Sequence, residues 1–355
     1  MALLLHKNIQ AYKRMTAFAL LGGALLLVMV ISLKSGAYPI SSDQIFSIFL
    51  AKLGILEAAG SYVVQENVLL QIRLPRILMA MVVGGGLGMA GAALQGLFRN
   101  PLVEPGLIGV SSGAALAAVA VIVFGASLPW LPQLLGAFTL PIAAFGGGLL
   151  VTFLVYKLSQ AGGKIDVSIL ILAGVALNAL AGALIGLSLY FADDAALRSF
   201  TFWSMGDVGG ATWSKVQIAL PVIVLASIVL GNQNNGLNGL AIGEAEAYHM
   251  GINVQRLKVT VLVLSALIVG TGVSMTGAIG FVGLIVPHLI RLLIGSDHRV
   301  VLPASFLLGA ILLSVSDLLA RTIVMPSEIP IGIITAIMGA PFFIWLIINV
   351  KKMRS

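Results

Sequence analysis

The 355-residue chain has no cysteine, which excludes disulfides and thiolate metal sites. Charge is also scarce: 9% of residues are charged against 59% hydrophobic, and the mean hydropathy is +1.09. A water-soluble core needs no such excess, so the chain falls in the membrane class. The phosphate-binding pattern G-x-x-x-x-G-K-[ST] is missing. The nearest stretch, AGGKID at 161–166, lacks the hydroxyl residue that would reach Mg²⁺, so the chain is not expected to hydrolyse ATP. There is no paired-carboxylate motif, and His6, His249, His288 and His298 are scattered without ligand spacing. Neither catalytic residues, nor a metal site, nor a cofactor is therefore expected. The net charge of +7 comes from basic residues spread thinly between apolar runs, which fits membrane topology better than nucleic-acid binding.

What the chain does have is long apolar sequence. Windows of about 20 apolar residues place ten spans near 15–34, 74–97, 107–125, 135–157, 167–191, 216–231, 257–278, 280–295, 301–321 and 333–350. This predicts an all-α integral membrane protein, one transmembrane domain over 1–355. The run from Met15 to Leu33 has spanning length and no clear small-residue cleavage site, so it reads as a retained first span. The segment 280–295 is short and holds Pro287, which predicts a broken helix. With the N-terminus inside, thirteen Lys and Arg lie on the inner side against seven outside, so both termini are expected in the cytoplasm.

Glycine is abundant, and one glycine-rich phrase occurs twice: VGGGLGMAGA at 83–92 and VGTGVSMTGA at 269–278. Sliding the chain by 186 residues aligns 80–109 with 266–295, with eleven of thirty positions identical, Pro101 with Pro287 among them. Composition alone predicts about three matches. Five spans separate the second from the seventh, so the copies run in opposite directions and the repeat is inverted, covering the second to fifth and seventh to tenth spans. Inverted repeats with interrupted helices mark transporters, because two related halves can rock about a central site. The small residues serve close helix packing first, and a smooth wall also suits a path.

A few polar positions stand out against this background. QIRLPRIL puts Arg73 and Arg76 at the outer mouth of the second span, where snorkelling to headgroups and docking of an acidic partner fit equally well. RNPLVEPGLIGVSSGA breaks the chain at Asn100, Pro101, Glu104, Pro105 and Gly106, as a gate or as a tight loop. Gln95 and Asn178 are polar positions suited to lining a path. The longest inner connection, 232–256, holds an amphipathic segment at Glu244–Met250 between Gly243 and Gly251, suited to a cytoplasmic partner. Asp317 stands deep in an apolar span with Arg321 one turn later, either an ordinary i,i+4 pair or the acid of a proton-coupled carrier.

Taken in order, RLPR, GxxLxxAGxxxQ, RNPLVEPGLIGVSSGA, FTFWSMG, GFVGLIVPHLIR and PSEIPIGIITAIMGAPFFIWLI resemble the membrane permeases of ABC importers for ferric siderophores, haem and cobalamin, over about Leu70 to Ile348. The resemblance implies a homodimer of two permease copies around a central path in the bacterial cytoplasmic (inner) membrane. It also implies two cytoplasmic ATPase subunits and one periplasmic or surface substrate-binding protein. Arg73, Arg76 and Arg321 are then implied as contacts to acidic residues of the binding protein. Gly243, Glu244, Ala247 and Gly251 are implied as the ATPase-coupling surface. Here the chain departs from the family's adjacent acids and Arg, with Ala245 and Tyr248 in their places and Glu246 one position later. Asn100–Pro101 and Pro287 would form the gate. YFADDAALRSFTFWSMGDVGGATW is similar to the haem-importing branch, which makes haem the first expected substrate and a ferric siderophore the second. The rival expectation is an ion-gradient-driven secondary transporter that uses Asp317.

Overall fold

The structure is a computed structural model that describes residues 2–55, 62–127, 130–162 and 164–354. Its α-helices in chain order are α1 (Ala2–Lys34), α2 (Ser42–Lys52), α3 (Val63–Asn67), α4 (Leu74–Leu97), α5 (Val110–Phe124), α6 (Trp130–Leu135), α7 (Thr139–Leu158) and α8 (Val167–Tyr190). They continue with α9 (Asp194–Ser204), α10 (Trp213–Gly231), α11 (Asn234–Ile242), α12 (Glu244–His249), α13 (Val254–Thr276), α14 (Val282–Ile294), α15 (His298–Ala320) and α16 (Ile331–Arg354). Eight of the described helical stretches are long and apolar enough to cross a membrane, and α14 and α16 contribute two shorter apolar helices. The chain is thus an all-α integral membrane protein, with a helix at each of the ten expected spans.

Two expectations need correction. The second span starts at Val63 and not near residue 74, because α3 runs through a π turn, Val68–Arg73, into α4. Pro75 has no N–H to donate, and the wider turn carries the helix up to it, with Leu74 bonding back to Leu69. The predicted break at Pro287 is absent: α14 continues through it. Proline leaves the carbonyl four residues earlier, that of Gly283, without an N–H partner. Gln95 Nε2 of α4 lies 3.5 Å from that oxygen and donates to Leu284 O at 3.2 Å. A neighbouring side chain thus covers the freed backbone, as an interrupted ladder in lipid requires.

α4 sits at the centre of the bundle, with 89% of its most apolar window buried. Its glycines make this possible. A Cβ at Gly84 would run into the Gly309 carbonyl of α15, one at Gly88 into the Ser305 carbonyl, and one at Gly91 into the Gly283 carbonyl of α14. Gly113 of α5 and Gly147 of α7 make the same backbone-to-backbone approach. Where lipid gives helices no hydrophobic drive to associate, such close packing holds them together.

The inverted repeat is visible in which helices touch. Pairing α4, α5, α7 and α8 with α13, α14, α15 and α16 maps one set of neighbours onto the other. α4 packs on α15 as α13 packs on α7, and α4 on α14 as α13 on α5. Likewise α5 packs on α7 as α14 on α15, α5 on α8 as α14 on α16, and α7 on α8 as α15 on α16. The ungapped register does not survive beyond the shared glycine phrase. Pro101 lies in the turn after α4, whereas Pro287 lies inside α14, so the two prolines are not structural counterparts.

Candidate functional site

The predicted site residues divide between the two ends of the bundle and a crossing between them. At one end the arginines form a single buried network. Arg76 is 7% exposed. Its Nε donates to Asp317 Oδ1 at 2.8 Å, and its two terminal nitrogens clamp Glu328 at 2.9 Å each. Arg321 Nε stands 3.5 Å from Asp317 Oδ2, so both carboxylate oxygens of Asp317 face arginines. Arg321 also donates to Ser32 O at 2.7 Å and Ser35 O at 2.8 Å. Arg73 donates to Leu33 O at 2.6 Å, Lys34 O at 3.1 Å and the Tyr38 carbonyl. These carbonyls lie at the end of α1 and just beyond it, where unbonded oxygens and the negative end of the helix dipole attract cations.

All three arginines expected at a docking surface are therefore turned inward, and Arg73 and Arg321 are held by α1. A docking role for those two calls for their release from it. Only Arg76 stands at an open rim, beneath Glu328, whose side chain is 46% exposed. Asp317 is a buried counter-ion, so the ion-driven rival loses the free acid on which it rested.

Glu328 also borders a cavity of about 430 Å³. Trp203 and Phe202 of α9, Asp207, Lys215, Met275 and Gly277 line it. The segment that is similar to the haem-importing branch builds this wall: Asp193 caps α9 through a 2.7 Å bond from Ala196 N–H, and α9 ends beside Gly206. Gly277 has φ +73° and a Cβ there would meet the Trp203 carbonyl, so glycine is required where α13 ends against α9. Asp207 N–H donates to Thr276 O at 2.7 Å and Gly332 N–H to Met205 O at 2.8 Å, tying α9, α13 and α16 into one rim.

The crossing is where the two repeats meet. Gln95, 2% exposed, donates to Val103 O at 3.3 Å and to the first turn of α14, and accepts from Arg291. Glu104 Oε1 accepts the N–H of Phe281 at 3.0 Å, joining the loop after α4 to the loop before α14. Asn178 of α8 bonds Ser112 of α5 at 2.5 Å and Gly106 O at 3.2 Å. Asn100 caps its own turn, its Oδ1 accepting from Leu102 N–H at 2.9 Å, and is exposed with Pro101. Sequence reasoning named Gln95, Asn100, Pro101 and Asn178 but gave Glu104 no partner, because that partner lies 177 residues away.

The segment 232–256 occupies the opposite end. It folds as α11, α12 and the start of α13. Ala247 is fully buried and seats α12, while Glu244 is bound to Lys258 of α13 at 2.8 Å. Lys258 Nζ also donates to Ile165 O at 3.0 Å, and Gln255 accepts from Ile165 N–H at 2.9 Å. This fixes α12 to the short antiparallel pair formed by Gln160–Ala161 and Lys164–Ile165. Gly243, Glu246 and Gly251 flank or cover the helix, Gly251 with φ +81° at the turn into α13. Its large exposed apolar residues are Ile242, Tyr248 and Met250, 67%, 73% and 61% exposed, and Glu244, Ala245, Glu246 and His249 are exposed beside them. Beside them lies a cleft of about 810 Å³ bordered by Lys164, Glu244, Tyr248 and Asn253. Among the described residues no group of three or more His, Asp or Glu side chains has the arrangement of a metal site.

The family model for the FecCD transport family matches residues 24–349. The chain belongs to the FecCD transport family. Relatives include the hemin transport system permease HmuU of Yersinia pestis, 46% identical over 81% of this chain and 85% of the relative. The vitamin B12 import permease BtuC of Vibrio cholerae is 40% identical over 80% and 84%. The molybdate import permease MolB of Haemophilus influenzae is 41% identical over 94% and 96%. A solved structure described as an inward-facing conformation of an ABC transporter of metal-chelate type has a TM-score of 0.81 at 36% identity, covering 94% of this chain and 99% of that one. As a FecCD permease the protein is a non-catalytic transport subunit of an ABC importer, working with an ATPase and a substrate-binding protein.

Proposed function

We propose that this FecCD permease carries haem, with a ferric siderophore as second candidate, across a bacterial inner membrane as a homodimer served by two ATPase subunits and one binding protein. The observation that carries the substrate reading is the cavity at the arginine end. Trp203 and Phe202 offer flat aromatic walls, and among the described residues no His or Tyr lines it. Met275 is the one soft donor among the lining residues, and a single thioether favours passage over retention. The 46% identity to a hemin permease supports the same substrate.

The thirteen-to-seven distribution of Lys and Arg supports placing the α12 end and both termini in the cytoplasm. That puts Ile242, Tyr248 and Met250 toward the ATPase, seated by Ala247 and Glu244 within the coupling segment 232–256. The arginine end then faces the binding protein. A carboxylate of that protein reaches Arg76 by displacing Glu328, an exchange between equal charges at one bidentate guanidinium. Gln95, Glu104, Asn178 and the turn at Asn100–Pro101 serve as the gate between the repeats, together with Pro287 of α14. The homodimer reading is supported by α8. Its Gly182 and Gly186 form a G-x-x-x-G stripe with open space where a Cβ would stand, among exposed Leu180, Leu184 and Leu187.

The test offers haem, a ferric siderophore, cobalamin and molybdate separately to proteoliposomes holding the permease, its ATPase and its binding protein. Haem is expected to accumulate fastest, and Trp203→Ala to slow it. Accumulation of cobalamin or molybdate alone refutes the haem reading.

A further inference from the structure

A third cavity, of about 520 Å³, takes no part in this path. It lies between α10 and α15. Val224 and Ile228 form one wall, Phe306 and Leu307 the other, and Met89 of α4 the floor. At the α12 end of the bundle its mouth carries Arg299. Within the walls, the Ser227 hydroxyl is buried, the residue being 5% exposed, and has no hydrogen-bond partner among the described residues. Arg299 is fixed through one edge only, its Nε donating to Asn235 Oδ1 at 3.0 Å. Its two terminal nitrogens have no protein acceptor among the described residues.

We infer that this groove binds one anionic diacyl phospholipid of the cytoplasmic leaflet, its phosphate on Arg299 and an acyl chain along Ile228 and Phe306. This rests on the proposed orientation for the choice of leaflet. Three features select a lipid. The groove is apolar with a cation at one end only, which is the polarity of a phospholipid. From Arg299 to Leu307 the helix rises about 12 Å, close to the depth of one leaflet in a hydrocarbon core of about 30 Å, so the groove runs from headgroup level toward the midplane. A half-free guanidinium in a pocket between helices at headgroup level matches the chemistry of anionic headgroups. A second copy of the chain fits less well, because the outward residues beside the groove, Leu225, Ile228 and Val229, are bulky. The small-residue stripe suited to helix docking is on α8.

The experiment uses the assembled permease–ATPase complex in nanodiscs of mixed phosphatidylglycerol and phosphatidylcholine, followed by native mass spectrometry of the lipids retained. The wild type is expected to retain phosphatidylglycerol in preference, with no displacement by millimolar inorganic phosphate. Arg299→Ala should lower that preference about fivefold, the attraction of one cation for an anionic headgroup. Arg299→Lys and, as a charge control elsewhere, Lys157→Ala should keep it. Leu307→Trp, which fills the groove, should remove both lipids. An unchanged preference in Arg299→Ala protein that elutes and melts like wild type overturns the proposal. So does displacement by free phosphate, which would make the site one for the anion alone. So does a disulfide between copies at Ile228→Cys, unambiguous in a chain without other cysteines, which would give the groove to a second protomer. Both leaflets are accessible in a nanodisc, so lipid retention is read independently of membrane orientation. The orientation is tested separately by labelling of Tyr248→Cys in sealed vesicles.

Discussion

At the scale of single residues, the arginine network decides how its end of the bundle behaves. Glu328 already occupies the bidentate face of Arg76 that an acidic partner would need. Replacing it by Gln removes the competing charge and leaves the size unchanged. Glu328→Gln is expected to tighten binding-protein affinity several-fold and Arg76→Ala to weaken it, both read by surface binding to the reconstituted permease. The reverse order would place docking elsewhere. The sequence placed Arg73, Arg76 and Arg321 at one end and the resemblance implied that they face an acidic partner, whereas in the structure all three turn inward. Arg73 reaches carbonyls some forty residues earlier, and Arg321 reaches oxygens nearly 290 residues away. Whether a guanidinium meets a helix end or a partner is a property of the packed bundle. The Asp317–Arg321 spacing, by contrast, was legible as an i,i+4 pair, and the structure makes it one, with Arg76 as a third member.

At the scale of elements, helix positions followed from hydropathy because lipid demands spans of set length, and the errors fall where proline meets a neighbour. No local pattern announces that Gln95 will stand beside the carbonyl freed by Pro287, so the continuity of α14 could not be read in advance. Gln95→Leu leaves Arg291 without that acceptor and the α14 carbonyls without their donor. It is expected to cost about 1–3 kcal/mol, measured as a fall in the melting temperature of the detergent-solubilised protein. An unchanged melting temperature would show that water or another group covers these atoms. The segment 232–256 was legible as an amphipathic connection by its length and composition, yet its internal pairing was not. Of the acids named from the sequence, Glu244 is bound to Lys258, and the proposed contact with the ATPase rests on the exposed Ile242, Tyr248 and Met250. Ile242→Asp with Tyr248→Asp is expected to abolish co-purification of the ATPase while the permease still elutes as wild type. Retained ATPase would return the role to Glu244 and Glu246.

At the scale of the whole molecule, the inverted repeat was readable because both copies keep the same small-residue phrase, whose glycines meet neighbouring backbone in α4 and side chains such as Val83 and Phe145 in α13. The interlocking of the halves was not, since it arises only when α4 packs on α15 and α13 on α7. In the proposed function a push on α12, which is held to α13, reaches both repeats through this crossed arrangement, and the loops joined by Glu104 and Phe281 are where their relative movement would be felt. In the proposed function energy is delivered mechanically at the α12 end, and Asp317, the acid on which an ion-driven carrier would rest, is paired with Arg76 and Arg321. The most direct test is substrate uptake into proteoliposomes carrying the permease, its ATPase and its binding protein, with ATP and the proton gradient varied independently. Uptake that requires ATP and persists when the gradient is collapsed is the predicted result. Uptake that proceeds without ATP, fails when the gradient is collapsed, and is lost in a folded Asp317→Asn protein would contradict the account.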